Sequence, residues 1–246
     1  MIKVAVADYG LYMWYGDIYD YEERLLSLKK LGYDGLERLY AKTEAEAVNT
    51  SALARKLGMD FATCEGASPS QSLHWSAALC KKYVWAESTS MDFDVFCRQV
   101  NSQIESARRY GVIVGLHNHL GSAVETQEQI VSYMNRCPKS GLILDVAHLA
   151  GAGGDPLEII DAYPGKLVMV HLKDYVYLNR NADKWYERIR FCELGAGEMA
   201  DTNRRIVEKL REKGYGGWIA VEQDTHLRDP MLDLKESRGL LKEYGI

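Results

Sequence analysis

The sequence predicts an α/β fold, a single (β/α)8 barrel built from residues 1–246. Three observations carry that expectation. Short apolar runs alternate with amphipathic stretches about eight times, the pattern of βα units around a parallel sheet. Runs such as LVMV and LILD are apolar throughout, as befits strands covered on both faces. The length of 246 residues matches such a barrel, typically about 250. A doubly wound open sheet would carry a glycine fingerprint after its first strand. Asp8-Tyr9-Gly10 is no GxGxxG, and no GxxxxGKS/T occurs.

In order, strands are expected at Ile2–Ala7, Asp34–Arg38, Asp60–Cys64, Lys82–Ala86, Val112–His117, Gly141–Asp145, Leu167–His171 and Trp218–Glu222. Helices fall between them. Tyr21–Leu31 carries Leu25, Leu28 and Leu31 at helical spacing, with Gly32 as a stop. Thr43–Leu57 ends at Gly58, Phe93–Tyr110 at Gly111, and Thr126–Cys137 before Pro138. Pro156–Tyr163, Thr202–Lys213 and Pro230–Tyr244 complete the helices. Gly66–Ser90 is a short unit and the least marked of the set, its helix placed around Ser72–Cys80. Tyr175–Gly197 is the longest irregular stretch. With Trp185, Tyr186, Arg188 and Arg190 it is expected to form a lid.

Composition narrows the function. Hydrophobic residues make up 47% and charged residues 26%, ordinary for a globular chain. Lys and Arg total 30 against 35 Asp and Glu, a net charge of −5, so no nucleic-acid partner is expected. No apolar run is long enough to span a bilayer, and the start, MIKVAVADYG, reads as a strand rather than a leader. Cys64, Cys80, Cys97, Cys137 and Cys192 are odd in number, scattered and without a CxxC pair. A reducing cytoplasm is therefore the expected location.

The informative residues stand where the later strands stop. VIVGLHNH ends in His117 and His119, GLILDVAH in Asp145 and His148, KLVMVHLKD in His171, Lys173 and Asp174, and WIAVEQD in Glu222 and Asp224. In a barrel these ends share the rim that carries the active site. Side chains two apart on a strand face the same way, so His171 pairs with Lys173 and Glu222 with Asp224. Four of the six histidines lie here. Converging imidazole and carboxylate donors suit a divalent cation, and without one the clustered carboxylates would repel each other.

These motifs resemble the xylose isomerase-like TIM barrels: sugar isomerases and epimerases, inosose dehydratases and the endonuclease IV branch. The resemblance is clearest from Gly111 to Asp224. It rests on His117-Asn118-His119 with Glu125 downstream, Leu144-Asp145-Val146-Ala147-His148, His171-Leu172-Lys173-Asp174, Gly195-Ala196-Gly197-Glu198 and Val221-Glu222-Gln223-Asp224. It implies one divalent metal held by Glu125, Asp145, His171 and Glu222. Where many isomerases of the family carry a Glu, at the end of the fifth strand, this chain has His117, so His117 or His119 is the alternative first ligand. Mn²⁺ or Co²⁺ heads the implied metals, with Zn²⁺, Mg²⁺ and Fe²⁺ as alternatives. HLKD and VEQD look most like the inosose dehydratase branch. The endonuclease branch needs more ligands than the two remaining histidines, His74 and His226, provide. The resemblance also implies a homodimer or tetramer.

The activity expected is that of a metal-dependent sugar or cyclitol isomerase or epimerase. It would remove the proton alpha to a carbonyl through a metal-stabilised enediolate. Expelling a β-hydroxyl instead would make it a dehydratase of the inosose type, and a non-catalytic sugar-binding barrel is the remaining alternative. Glu125, Glu222, Lys173 and His119 are the candidate catalytic groups. Glu37, Glu65, His117, His148 and Trp14 are the candidate substrate contacts, Glu37 and Glu65 doubling as candidate bases. Plainer roles stand beside these. Glu37 can pair with Arg38 or Lys42, Asp174 and Glu198 can cap local structure, and Trp14 can be core.

Overall fold

The computed structural model describes residues 1–16 and 20–246. Its strands are β1 (Lys3–Ala7), β2 (Gly35–Tyr40), β3 (Asp60–Glu65), β4 (Tyr83–Trp85), β5 (Ile113–His117), β6 (Gly141–Asp145), β7 (Leu167–Leu172), β8 (Asp174–Tyr177), β9 (Ile189–Cys192) and β10 (Trp218–Glu222). Eight of them pair in parallel in the order β3-β2-β1-β10-β7-β6-β5-β4. At the seam between β3 and β4, Thr63 Oγ1 donates to Tyr83 O at 2.6 Å. The result is a (β/α)8 barrel, as the alternating pattern predicts.

The helices are α1 (Tyr9–Tyr15), α2 (Tyr21–Leu31), α3 (Glu44–Lys56), α4 (Pro69–Ala78), α5 (Phe93–Ala107), α6 (Gln127–Arg136), α7 (Val146–Gly151), α8 (Pro156–Ala162), α9 (Trp185–Arg188), α10 (Ala200–Glu212) and α11 (Pro230–Glu243). Most begin on a residue whose side chain accepts from the first turn. Asp20, Thr43, Ser68, Asp92, Thr126, Asp155 and Asp229 all do so. Among the described residues, no helix is long and apolar enough to cross a membrane.

The strand period of two sorts the core into two layers. Val4, Val6, Leu36, Leu142, Leu144, Val170, Leu172, Ile219 and Val221 face the surrounding helices. The alternate set, Ala5, Ala7, Ala62, Ile143, Met169 and Ala220, fills the barrel with Tyr83.

Five features differ from the sequence expectation. α4 starts at Pro69, ahead of the expected Ser72, because Ser68 accepts from Gln71 N and Pro69 suits a first turn. α5 stops at Ala107, and Arg108–Tyr110 tightens into a 3-10 turn before the left-handed Gly111. α1 and α7 begin directly at strand ends and are too short to show a helical period. The stretch Tyr175–Gly197 is no irregular loop: β8 and β9 pair as an antiparallel ribbon with α9 between them.

Asp174 anchors that ribbon. Its carboxylate accepts from the backbone of Tyr175, Gly195, Gly197 and Met199 at 2.8–3.2 Å. It caps rather than ligates. A Cβ at Gly197 would lie 2.3 Å from Tyr175 O and 2.4 Å from Asp174 Oδ1, so only glycine allows the approach. Gly197→Ala is expected to cost about 2 kcal/mol, the scale of an overpacked core. Urea unfolding measures it, and an unchanged midpoint would mean the loop yields freely.

Candidate metal centre

The residues that fill the barrel lead directly to the polar rim. On β5 Gly115 is followed two residues later by His117, on β6 Ile143 by Asp145, on β7 Met169 by His171, and on β10 Ala220 by Glu222. One ligand atom from each of His117, Asp145, His171 and Glu222 lies within 4.8 Å of all the others. Donors around one ion at 2.0–2.2 Å stand no more than about 4.4 Å apart, so a small inward adjustment closes the set.

Asp145 divides its carboxylate. Oδ1 accepts from Ala147 N at 3.0 Å and His148 N at 2.8 Å, capping α7. Oδ2 is thereby aimed into the group, where it is buried with no hydrogen-bond partner. It lies 3.8 Å from His117 Nε2, 3.9 Å from His171 Nδ1 and 3.6 Å from Lys173 Nζ. His117 Nε2 is likewise buried and unpartnered. Asn118 secures the strand end, donating from Nδ2 to Asp145 O and accepting from Asp145 N.

His171 stands between two carboxylates. Its Nδ1 donates to Glu222 Oε2 at 2.6 Å and its Nε2 to Glu37 Oε1 at 2.9 Å. Burial disfavours a charged ring, but Glu37 and Glu222 outweigh it and push the pKa up to about 10. Burial also favours neutral carboxyls. His171 nevertheless holds Glu37 below its ordinary value, and Lys173 with His171 holds Glu222 well below. Burial lowers the pKa of both His117 and His148, leaving neutral rings.

Lys173 is fully buried. Its Nζ donates to Asp224 Oδ2 at 2.7 Å and to His148 Nε2 at 3.1 Å, and lies 3.5 Å from Glu222 Oε2. Aromatic rings wall the centre. Trp85 lies 4.3 Å from His117 between centroids, carries the Arg38 guanidinium at 4.2 Å, and donates from Nε1 to Glu37 Oε1 at 3.1 Å. His119 stacks on His148 at 3.7 Å, its Nδ1 bonded to Leu120 O. The ribbon brings Trp185 to 6.0 Å from His119 and 5.9 Å from His148. It also sets Phe191 4.0 Å from Lys173 Nζ. Trp85 and Phe191 escaped the sequence reading, although Trp85 ends its strand like the other rim residues.

Two imidazoles and two carboxylates, two of their buried donor atoms unsatisfied, fit a divalent cation. Glu125 lies outside this group. Its Oε2 accepts from Gly121 N, and it lines an open cleft with Arg180 and Arg188, so His117 occupies the fourth corner. Glu65 accepts from Arg38 Nη1 at 2.8 Å. Trp14 is half exposed on α1 and is not core. Glu198 pairs with Arg180, His74 bonds Tyr110 and His226 bonds Asp233, none of them at the centre.

The class defined here is a (β/α)8 barrel whose C-terminal rim, where barrel active sites lie, carries a group that could hold a divalent cation. Within it, the chain belongs to the xylose isomerase-like TIM barrel family, whose model matches residues 37–244. An inosose dehydratase of Lactiplantibacillus plantarum is 29% identical over 173 residues, 64% of this chain and 56% of that protein. The chain spans about half the length of the curated relatives it matches. The fold is shared with an L-ribulose 3-epimerase, at TM-score 0.76 and 15% identity over 99% of this chain and 94% of that one. It is shared too with the probable 3-DHS dehydratase AsbF of Bacillus anthracis, at TM-score 0.74 and 12% identity over 98% and 99%.

Glu37 holds the His171 ring at Nε2, the side away from the rest of the cluster, where a carboxylate would orient the ring behind a bound cation. Glu37→Gln is expected to weaken Co²⁺ binding about ten- to a hundredfold. Titration followed by the Co²⁺ absorption spectrum measures this, and unchanged affinity would separate Glu37 from the metal.

Proposed function

We propose that this chain is a metal-dependent enzyme that removes the proton alpha to a carbonyl of a small sugar or cyclitol and then expels a β-hydroxyl, a dehydratase of the inosose type. The observation that carries the second half is Lys173, a fully buried ammonium beside the ligand group, held by Asp224 and His148. The relatives named inosose dehydratase support the same reading. A divalent cation held by His117, Asp145, His171 and Glu222 supplies Lewis-acid polarisation of the substrate carbonyl. Mn²⁺ or Co²⁺ suits this mixed nitrogen and oxygen set best.

Glu222 Oε1 accepts the alpha proton, its partner oxygen Oε2 lying on the ligand side beside His171 Nδ1. Lys173 Nζ gives a proton to the departing hydroxyl, and Asp224 and His148 aim it. The C–H and C–O bonds break, a C=C bond forms and one water leaves. Trp185 and Phe191 close the centre against bulk solvent. Isomerisation or epimerisation is the second reading. Its support is Glu37 Oε2, a buried carboxylate oxygen with no hydrogen-bond partner, which offers another place to hold a proton. The intact ligand group argues against a barrel that only binds sugar.

Elemental analysis of protein purified without chelator is expected to give close to one divalent ion per chain. No metal, with none acquired from added Mn²⁺ or Co²⁺, would remove the proposal. With inososes and ketoses, dehydration appears in the product mass as the loss of one water. Retained mass with solvent deuterium incorporated would favour isomerisation. Asp145→Asn is expected to lower turnover by at least about a thousandfold, the scale of losing a principal electrostatic contributor. Wild-type turnover in that variant would sink the site.

A further inference from the structure

A second cavity, of about 440 Å³, lies between the β8–β9 ribbon and the chain that follows β10. It contains none of the four clustered ligand residues. Phe191 lines it, and the Phe191 ring lies 4.0 Å from Lys173 Nζ, so one residue separates the cavity from that lysine. Arg190 and Gln223 also line it, and each carries a buried polar atom with no hydrogen-bond partner. One is a donor, Arg190 Nε, and the other an acceptor, Gln223 Oε1. Burying such atoms unpaired is costly.

The chemistry of a ligand follows from what is already spent. Arg228 is committed to Asp233, Glu193 and Glu236. Arg24 pairs with Asp8 and Arg38 with Glu65. Arg190 makes no ion pair among the described residues, and its guanidinium fork matches a planar or tetrahedral oxyanion. Gln223 Nε2 donates to both Thr225 O and Asp233 Oδ2, which fixes the amide and leaves Oε1 as an acceptor. A bare anion serves Arg190 alone, and a neutral polyol serves Gln223 alone.

We propose that this cavity binds a small hydroxylated oxyanion, its carboxylate or phosphate oxygens on Arg190 and a neighbouring hydroxyl donating to Gln223 Oε1. Thr225 also lines the cavity, and its hydroxyl would supply a further contact. Sugar acids and sugar phosphates share this chemistry.

Titration calorimetry of the whole chain with D-gluconate, D-glucose 6-phosphate and neutral D-glucitol tests it. At least one anion is expected to bind saturably, the tighter of the two identifying carboxylate or phosphate. Arg190→Gln should weaken that binding about tenfold or more, and glucitol should bind at least about tenfold more weakly than the anion. Thr225→Val should weaken it severalfold, which keeps the test open if the arginine variant folds poorly. Asp145→Asn should leave it unchanged. Three results would each overturn the proposal: no saturable binding of either anion, equal binding of glucitol, or binding lost in Asp145→Asn but kept in Arg190→Gln.

Discussion

Four carboxylates share one buried mouth of the barrel, and the arrangement around them answers that crowding. Among the described residues, Glu37, Asp145, Glu222 and Asp224 lie within reach of two buried cationic side chains, Lys173 and the His171 ring. Arg38 stands 3.8 Å from Glu37 but is committed at 2.8 Å to Glu65. Uncompensated charge in a low-dielectric interior is expensive, and such carboxyls would ordinarily become neutral. Here the neighbouring cations hold Glu37, Asp145 and Glu222 below the ordinary carboxylate range, whereas burial pushes Asp224 up despite Lys173. A divalent ion held by this group would address the remaining deficit directly. It also requires a neutral His171 ring, and Glu37 already waits on Nε2 to hold that ring's orientation.

Which residues meet at this mouth follows from strand parity alone. Once Ile143, Met169 and Ala220 face the barrel axis, Asp145, His171 and Glu222 must follow them. That is why those three, and the barrel itself, were legible from apolar runs that stop in ligand-type residues. The same parity places His117, two residues beyond Gly115. Its role as the fourth member was less legible because family likeness points to Glu125. Glu125 sits in a loop, where no period constrains direction, and its carboxylate is drawn to the Gly121 amide.

The parts that could not be read are those set by single local bonds. α7 exists because Asp145 Oδ1 caps it, so one carboxylate both starts a helix and presents its other oxygen to the centre. The β8–β9 ribbon is gathered by four amides on Asp174. A one-residue device of this kind leaves no periodic trace. Phe191 arrives by the same route, reaching His148 only after the ribbon folds back, whereas Trp185, beside the same histidine, lies in the stretch expected to form a lid.

The barrel interior is furnished mostly with alanine: Ala5, Ala7, Ala62 and Ala220 surround the bulk of Tyr83, Ile143 and Met169. Tyr83 is fully buried among them and belongs to the shortest strand, beside the seam that Thr63 bridges. Four small residues and one phenol therefore form a single volume agreement across four strands. Enlarging any one alanine asks Tyr83 to shrink in the same lineage, because a packed interior has no slack to absorb the difference. Sequence drift at the base of this mouth should thus be correlated rather than independent, with tyrosine and alanines exchanging bulk as a set while the rim above them is free to change its chemistry.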